Sequence, residues 1–414
     1  MKNEILIHID SPKQLEKLYR DNKTSFKTEF NLLFPEYNEN KLLQYWDERL
    51  NYQSSEISWG SKKELIFVMV LSLIAGFLAS FPSFFKIDSE FFYTRNIALI
   101  IFSILAAYFS WKNLLTKKKI IIIGFIFLIA LVFINLLPAN NNSNTLNLSL
   151  IHLPIFLWSV VGFTYGGNAL NNHHKRIEFL RYNGDLLIMS GLILIASAAL
   201  TAITIGLFTV SGFDIKDFYF EYIVIFCLPI IPILGTFLTQ TNPQLVNKVS
   251  PVIAKIFSPL VLITVIVYLI AILFSGKNLY YDRDFLMLFN GLLIGVIAII
   301  LFSVATTSKQ NNSKVGDFIL FALSIVTVIV SGMALSAILF RISTLGISPN
   351  RLAVVGANLL MLTNLSWISF QLFKTVFKKN DTRSVENAIA SFIPFYILWT
   401  IIVSFIFPLL FNFR

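Results

Sequence analysis

The stretch IIIIGFIFLIALVFINLLPANNNSNTLNLSLIHLPIFLWSVVGFTYGG, residues 120–167, decides the fold of this 414-residue chain. Continued to His174, it is the longest run free of Asp, Glu, Lys and Arg. About 20 apolar residues cross the hydrocarbon core of a bilayer, so the run is too long for one helix. Pro138 and the Asn-rich segment Asn140–Asn147 interrupt it, which makes it two helices joined by a polar turn. Lys117, Lys118 and Lys119 precede the first helix, and Lys175, Arg176 and Arg181 follow the second. Two crossings place both basic clusters on the same side, as expected of a membrane hairpin whose cations stay in the cytoplasm.

The same pattern extends in both directions. Apolar stretches near 65–85, 96–111, 186–213, 222–247, 256–276, 285–308, 318–340, 352–373 and 387–413 join 120–137 and 150–167, for a total of about eleven spans. The sequence therefore predicts an all-α, polytopic transmembrane helical bundle over residues 64–414. Composition agrees: 56% of residues are apolar and 14% charged, with 41 Phe, against about 25% charged in soluble domains. The short second span is bracketed by Arg95 and Lys112, whose long stems are expected to carry their charges to headgroup depth. The single cysteine, Cys227, excludes an intramolecular disulfide. The net charge of +10 resides in loops and not on a nucleic-acid-binding face, so no nucleic-acid partner is expected.

Residues 1–63 differ from the rest. They hold ten Lys/Arg and, counted to Glu64, eleven Asp/Glu. Leu15, Leu18, Tyr19, Phe26, Phe30, Leu33 and Phe34 recur at helical spacing. A small helical domain is predicted, with one helix starting at Ser11-Pro12 and another over Asn38–Leu50. No signal-peptide pattern precedes it, so this domain is expected to stay attached and cytoplasmic. With the N-terminus inside, ten basic residues fall in the leading domain and fifteen in inner loops, against seven in outer loops plus Arg414. The C-terminus then ends outside, and the compartment expected is the cytoplasmic (inner) membrane of a bacterium.

On this reading no ionisable residue stands in mid-span, which removes the usual proton relays and paired intramembrane aspartates. HExxH, GxxxxGK and cysteine-pair motifs are absent, so no cofactor, metal or catalytic residue is expected. His173 and His174 read as solvated loop residues. The outer link RISTLGISPNR, 341–351, is unusual because Arg351 would sit in the first turn of a helix started by Ser348-Pro349, where the macrodipole disfavours a cation. Arg341 and Arg351 either hold an anionic headgroup or carboxylate, or pair with an outer acid such as Asp214 or Asp282.

Beyond that link, Asn358 lies on the face of Arg351, while Asn364 shares another face with Gln371. Interhelical hydrogen bonds are the plain reading of both, a substrate site the sharper one. DIKDFYFEY, 214–222, and YYDRDF, 280–285, mix acids and aromatics as interfacial belts do. The first could instead form a cation or headgroup site from Asp214, Asp217 and Glu221. Pro229 and Pro232 in the sixth span, with Gly235 beyond, either break that helix as transporter helices are broken or only kink it. Gly162/Gly166 and Gly291/Gly295 have the spacing of close helix contacts.

The end of the ninth span, RISTLGISPNR and the following LAVVGANLLMLTNL resemble the multi-spanning bacterial membrane family called domain of unknown function four-one-five-three. Arg341, Gly346, Pro349, Asn350, Arg351 and Asn358 carry the resemblance. It implies the fold, leaves the first 60 residues unexplained and implies no activity. Three functional readings follow, in this order. The first is a carrier or channel-like protein for a small solute or lipid, with Arg341, Arg351, Asn358, Asp214, Asp217 and Glu221 as ligand residues and an anionic lipid or small solute as partner. The second is a non-catalytic scaffold or sensor whose residues 1–63 capture a cytoplasmic protein. The third is a membrane-embedded enzyme using Asp214, Asp217, Glu221 or His152.

Overall fold

A computed structural model describes residues 2–51, 60–138, 143–167, 172–210, 213–247, 249–274, 283–307, 314–378 and 383–413. Among these residues every regular element is helical. The chain divides into two compact units, Met1–Ser58 and Trp59–Arg414.

In the first unit, α1 (Lys2–Ile7), α2 (Pro12–Asp21), α3 (Lys23–Leu33) and α4 (Lys41–Asn51) enclose a core of their own. Helix α2 begins at Pro12, whose fixed φ suits a first helical turn, although the Ser11 hydroxyl makes no cap bond. Ile5, Leu15, Phe26, Phe30, Leu43 and Trp46 are buried together. The Trp46 ring centroid lies 5.1 Å from that of Phe26, and the Arg49 guanidinium stacks 4.7 Å above Trp46.

The second unit contains α5 (Lys62–Ala79), α6 (Phe81–Phe85), α7 (Ser89–Lys112), α8 (Lys117–Leu136), α9 (Asn144–Gly166), α10 (His173–Val210), α11 (Lys216–Phe218), α12 (Ile225–Cys227), α13 (Ile230–Thr241) and α14 (Pro243–Asn247). There follow α15 (Val249–Phe274), α16 (Arg283–Thr307), α17 (Lys314–Leu345), α18 (Pro349–Lys378), α19 (Arg383–Ile401) and α20 (Phe407–Leu410). Eight helical segments among the described residues are long and apolar enough to cross a membrane: α7 to α10, Lys216–Thr241, α17, α18 and Arg383–Leu410. Their outer faces carry large apolar side chains, such as Ile121 at 70% exposure and Ile195 at 70%. A water-soluble chain does not display apolar surface on this scale, and these eight helices fit a multi-pass membrane protein.

Two large apolar cores hold this unit together, beside a small one of Leu148, Ala353, Val403 and Phe407. One joins α5, α7, α8, α9, α10 and α13 through residues such as Leu71, Ile104, Leu157 and Phe237; the other joins α15 to α19 through Leu293, Ile300, Leu323 and Leu365. Helix α10 serves both, because Ile177 enters the second core while Phe179 and Tyr182 enter the first.

Several sequence expectations change here. The second span is not short: α7 runs from Ser89 to Lys112, and Asp88 caps it by accepting from the Phe91 amide at 2.7 Å. Arg95 does not reach out to headgroups but is 4% exposed inside that helix. Asp185, expected just before the fifth span, is 9% exposed and lies well inside α10. The helices therefore do contain charge. The sixth span breaks as Pro229 and Pro232 suggested, with a π turn over Tyr219–Val224, a short α12 and a new start at Ile230. A Cβ added to Gly291 or Gly295 would meet nothing within 4 Å, so that pair makes no close helix contact. Most of YYDRDF and the acid Asp282 lie outside the described residues.

Candidate functional site

Three arginines of the second unit, Arg95, Arg181 and Arg351, share one task. A helix leaves its last four carbonyls without internal partners, and in a medium without water those oxygens must find donors elsewhere. Arg95 donates through Nη1 to the carbonyls of Ile134 and, at 3.1 Å, Leu137, which end α8. Arg181 donates to the carbonyl of Ala305, near the end of α16. Arg351 donates to the carbonyls of Leu345 and Gly346, at 2.8 and 2.7 Å, which end α17.

Arg176 meets the same need inside a helix. Pro394 lacks the N–H that would bond the carbonyl four residues earlier. That carbonyl is Ala390's, and Arg176 donates to it at 2.9 Å.

This accounts for Arg351 differently from either sequence reading. The cation in the first turn of α18 is offset by the negative end of the helix before it. The chain can turn back so tightly because Gly346 takes φ +75°, the left-handed conformation that closes a helix at little cost to glycine. Among the described residues, neither Arg341 nor Arg351 is ion-paired with Asp214, Asp217 or Glu221. Those three acids are exposed; Asp214 accepts from the Lys216 amide at 3.2 Å. Asn358 is 1% exposed, and neither its amide nitrogen nor its oxygen has a hydrogen-bond partner. Asn364 donates to the Tyr396 hydroxyl at 3.1 Å, the interhelical bond expected of it. None of the six residues singled out from the sequence lines either of the two cavities described below.

What the structure does gather lies where α9, α10 and α19 meet. A groove of about 440 Å³ opens there, with the aromatic rings of Trp158, Phe163 and Phe179 and the aliphatic Ile393, Ile397 and Leu398 as its walls. Gly162 makes the approach possible, because a Cβ there would stand 2.9 Å from the Phe179 ring. The rings are held in place by polar bonds. Trp158 Nε1 donates to Asn183 Oδ1 at 2.8 Å, and Asn183 Nδ2 donates to the Phe179 carbonyl at 2.5 Å.

Lys175 and Arg176 stand at one end of this groove. Lys175 Nζ is paired with Glu178 at 2.8 Å, and His174 approaches the same carboxylate at 3.4 Å. Behind the groove, Tyr165 stacks on Tyr182 with centroids 5.2 Å apart, and the Tyr182 hydroxyl meets the Thr236 hydroxyl at 2.7 Å. Elsewhere in the unit, Glu64 accepts from Tyr108 at 2.7 Å and from Lys112 at 2.8 Å, so the start of α5 is tied to the end of α7. In chemical terms the groove offers apolar length ending in two cations, which suits an amphiphile with an anionic head.

Sequence reasoning used Lys175 and Arg176 only as markers of sidedness and Gly162 only as a packing residue. The signal available was Pro394, whose orphaned carbonyl needs a donor from another helix. No group of three or more His, Cys, Asp or Glu among the described residues could hold a metal ion, and His152 bonds the Leu148 carbonyl of its own helix at 2.9 Å. Comparison with models of protein families, with curated proteins and with solved structures found no match to this chain.

Proposed function

We propose that this chain binds an anionic amphiphile, most simply an anionic lipid, and carries it in a bacterial cytoplasmic membrane. The observation that supports the reading is the groove of α9, α10 and α19, apolar along its length and ended by Lys175 and Arg176. On this reading α5, α15 and α16 complete eleven spans, the N-terminus is inside and the C-terminus outside, and the chain is a member of the family that residues 341–365 resemble. Lys175 and Arg176 then face the cytoplasmic leaflet, where anionic headgroups collect. Their net charge beside Glu178 remains positive, so the head is attracted while the tail lies along Phe163, Ile397 and Leu398.

The test is retention of lipid by the purified protein. Phosphatidylglycerol should be retained over phosphatidylcholine, and Lys175→Gln, which removes one of the two cations at the end of the groove from a partly exposed position, should reduce the preference while leaving the protein folded. Equal retention of both lipids by the wild type would overturn the reading. The scaffold reading rests on a separate observation, the self-contained core of Met1–Ser58. It predicts that deleting residues 1–58 abolishes capture of a cytoplasmic protein while membrane insertion persists.

A further inference from the structure

Helices α7 and α9 run side by side, and their other ends enclose a second cavity. Asn147 and Leu150 line it near the start of α9, whereas Gly162 and Gly166 border the first groove near its end. At about 1.5 Å per residue, Leu150 and Gly162 are about 18 Å apart along the axis. The two sites are therefore separate. The second cavity holds about 540 Å³ and is lined by Asp88, Glu90, Phe91 and Arg95 together with Leu146, Asn147 and Leu150.

Arg95 is offset only by the carbonyl end of α8 and has donors left over. Its Nη1 serves the two α8 carbonyls and its Cζ lies 4.4 Å from the centre of the Phe91 ring. A guanidinium has five N–H donors, so those on Nε and Nη2 remain once the two on Nη1 are used. No carboxylate forms an ion pair with Arg95 among the described residues. Buried charges are ordinarily paired, and this one, 4% exposed, borders an open cavity instead.

The rim carries the opposite sign. One Asp88 oxygen caps α7, and the Glu90 side chain has no hydrogen bond or ion pair among the described residues. A simple anion drawn to Arg95 would be repelled by the two carboxylates, and a simple cation drawn to them would be repelled by Arg95. A ligand with both charges satisfies both ends. We propose that this cavity binds a zwitterion, with an oxyanion on Arg95 and a primary ammonium on Asp88 and Glu90. Such a group is found on phosphatidylethanolamine or on a free small molecule. In either case Leu146 and Leu150 give its apolar part a wall.

The experiment uses the full-length protein in detergent and in nanodiscs, with phosphoethanolamine and phosphatidylethanolamine as probes and phosphoglycerol and phosphatidylglycerol as anion-only controls. The wild type should favour the zwitterion in at least one pair. The double variant Asp88→Asn, Glu90→Gln should lose that preference by about tenfold, and it should fold, because Asn caps a helix as well as Asp and both sites are exposed. Arg95→Lys keeps the charge but loses the fork and should weaken both zwitterions and controls. Binding of phosphoethanolamine in detergent identifies a free ligand as sufficient; preference only in nanodiscs identifies the lipid. No preference in either pair, or the same preference in the double variant, overturns the proposal.

Discussion

The bond from Arg176 to Ala390 makes a prediction that depends on a third residue. If Arg176 is needed because Pro394 has no N–H to offer, then supplying that N–H should make the arginine dispensable. Arg176→Ala removes a hydrogen bond from a charged donor to a partly buried carbonyl, 2.9 Å long. Such bonds contribute about 1.5–3 kcal/mol, and solvent at this part-buried position brings the expected cost to the bottom of that range or just below it, about 1–2 kcal/mol. Pro394→Ala lets α19 close its own bond from residue 394 to the Ala390 carbonyl. In that background Arg176→Ala should cost about 1 kcal/mol less, leaving whatever the side chain contributes through other contacts. A double-mutant cycle measured by reversible unfolding in mixed micelles reads this coupling directly. Arg176→Ala costing the same in both backgrounds would refute the argument, because the carbonyl would then have no dependence on the proline.

Arg351→Ala should lower stability by about 1–2 kcal/mol by uncapping α17, with Arg351→Lys recovering part of it, while retention of anionic lipid by the protein stays unchanged. Gly356→Ala places a methyl group inside the Trp399 ring, and overpacking of that kind costs about 1–3 kcal/mol, readable as a lower unfolding midpoint. Asn358→Leu removes an amide with no partner at either end, so stability should be unchanged or rise; a loss above about 1 kcal/mol would mean that the amide is engaged. In the first unit, the hydrogen bond from Arg20, against a smaller effect of burial and with help from Arg49, holds the Glu16 carboxyl below the ordinary glutamate range. A depressed folded-state value means that this contribution is present above the unfolded-state value and is lost as pH falls through the folded one. Hydrogen-exchange protection factors in α2 and α4, which divide out the intrinsic pH dependence of exchange, should therefore fall on acidification below the ordinary glutamate range, and Glu16→Gln should flatten that response.

The long helices were legible in the sequence because bilayer crossing is a property of composition and length, both local. Ile120–Leu136 has no charge and enough apolar length, and α8 follows from that alone. The helix start at Pro349, the interhelical bond of Asn364 and the broken sixth span were legible for the same reason, since proline and asparagine act within a turn or across one contact. The site was not legible, because what an arginine does depends on which carbonyls other helices bring to it. Arg95 looked like a residue at a span's edge because the apolar count restarts after it. In the fold it is a cap for α8, thirty-nine residues away. Arg351 looked like a free cation because its own helix disfavours it, yet the preceding helix ends beside it with two orphan carbonyls. Lys175 and Arg176 looked like topology markers, and only the approach of Pro394 on α19 makes them the end of a groove. A charge in a membrane protein must therefore be assigned after the helix ends and prolines around it have been supplied with donors. Arg341, whose side chain makes no hydrogen bond or ion pair among the described residues, and the remaining donors of Arg95 are what that assignment leaves over. Of the two, Arg95 borders a cavity of about 540 Å³.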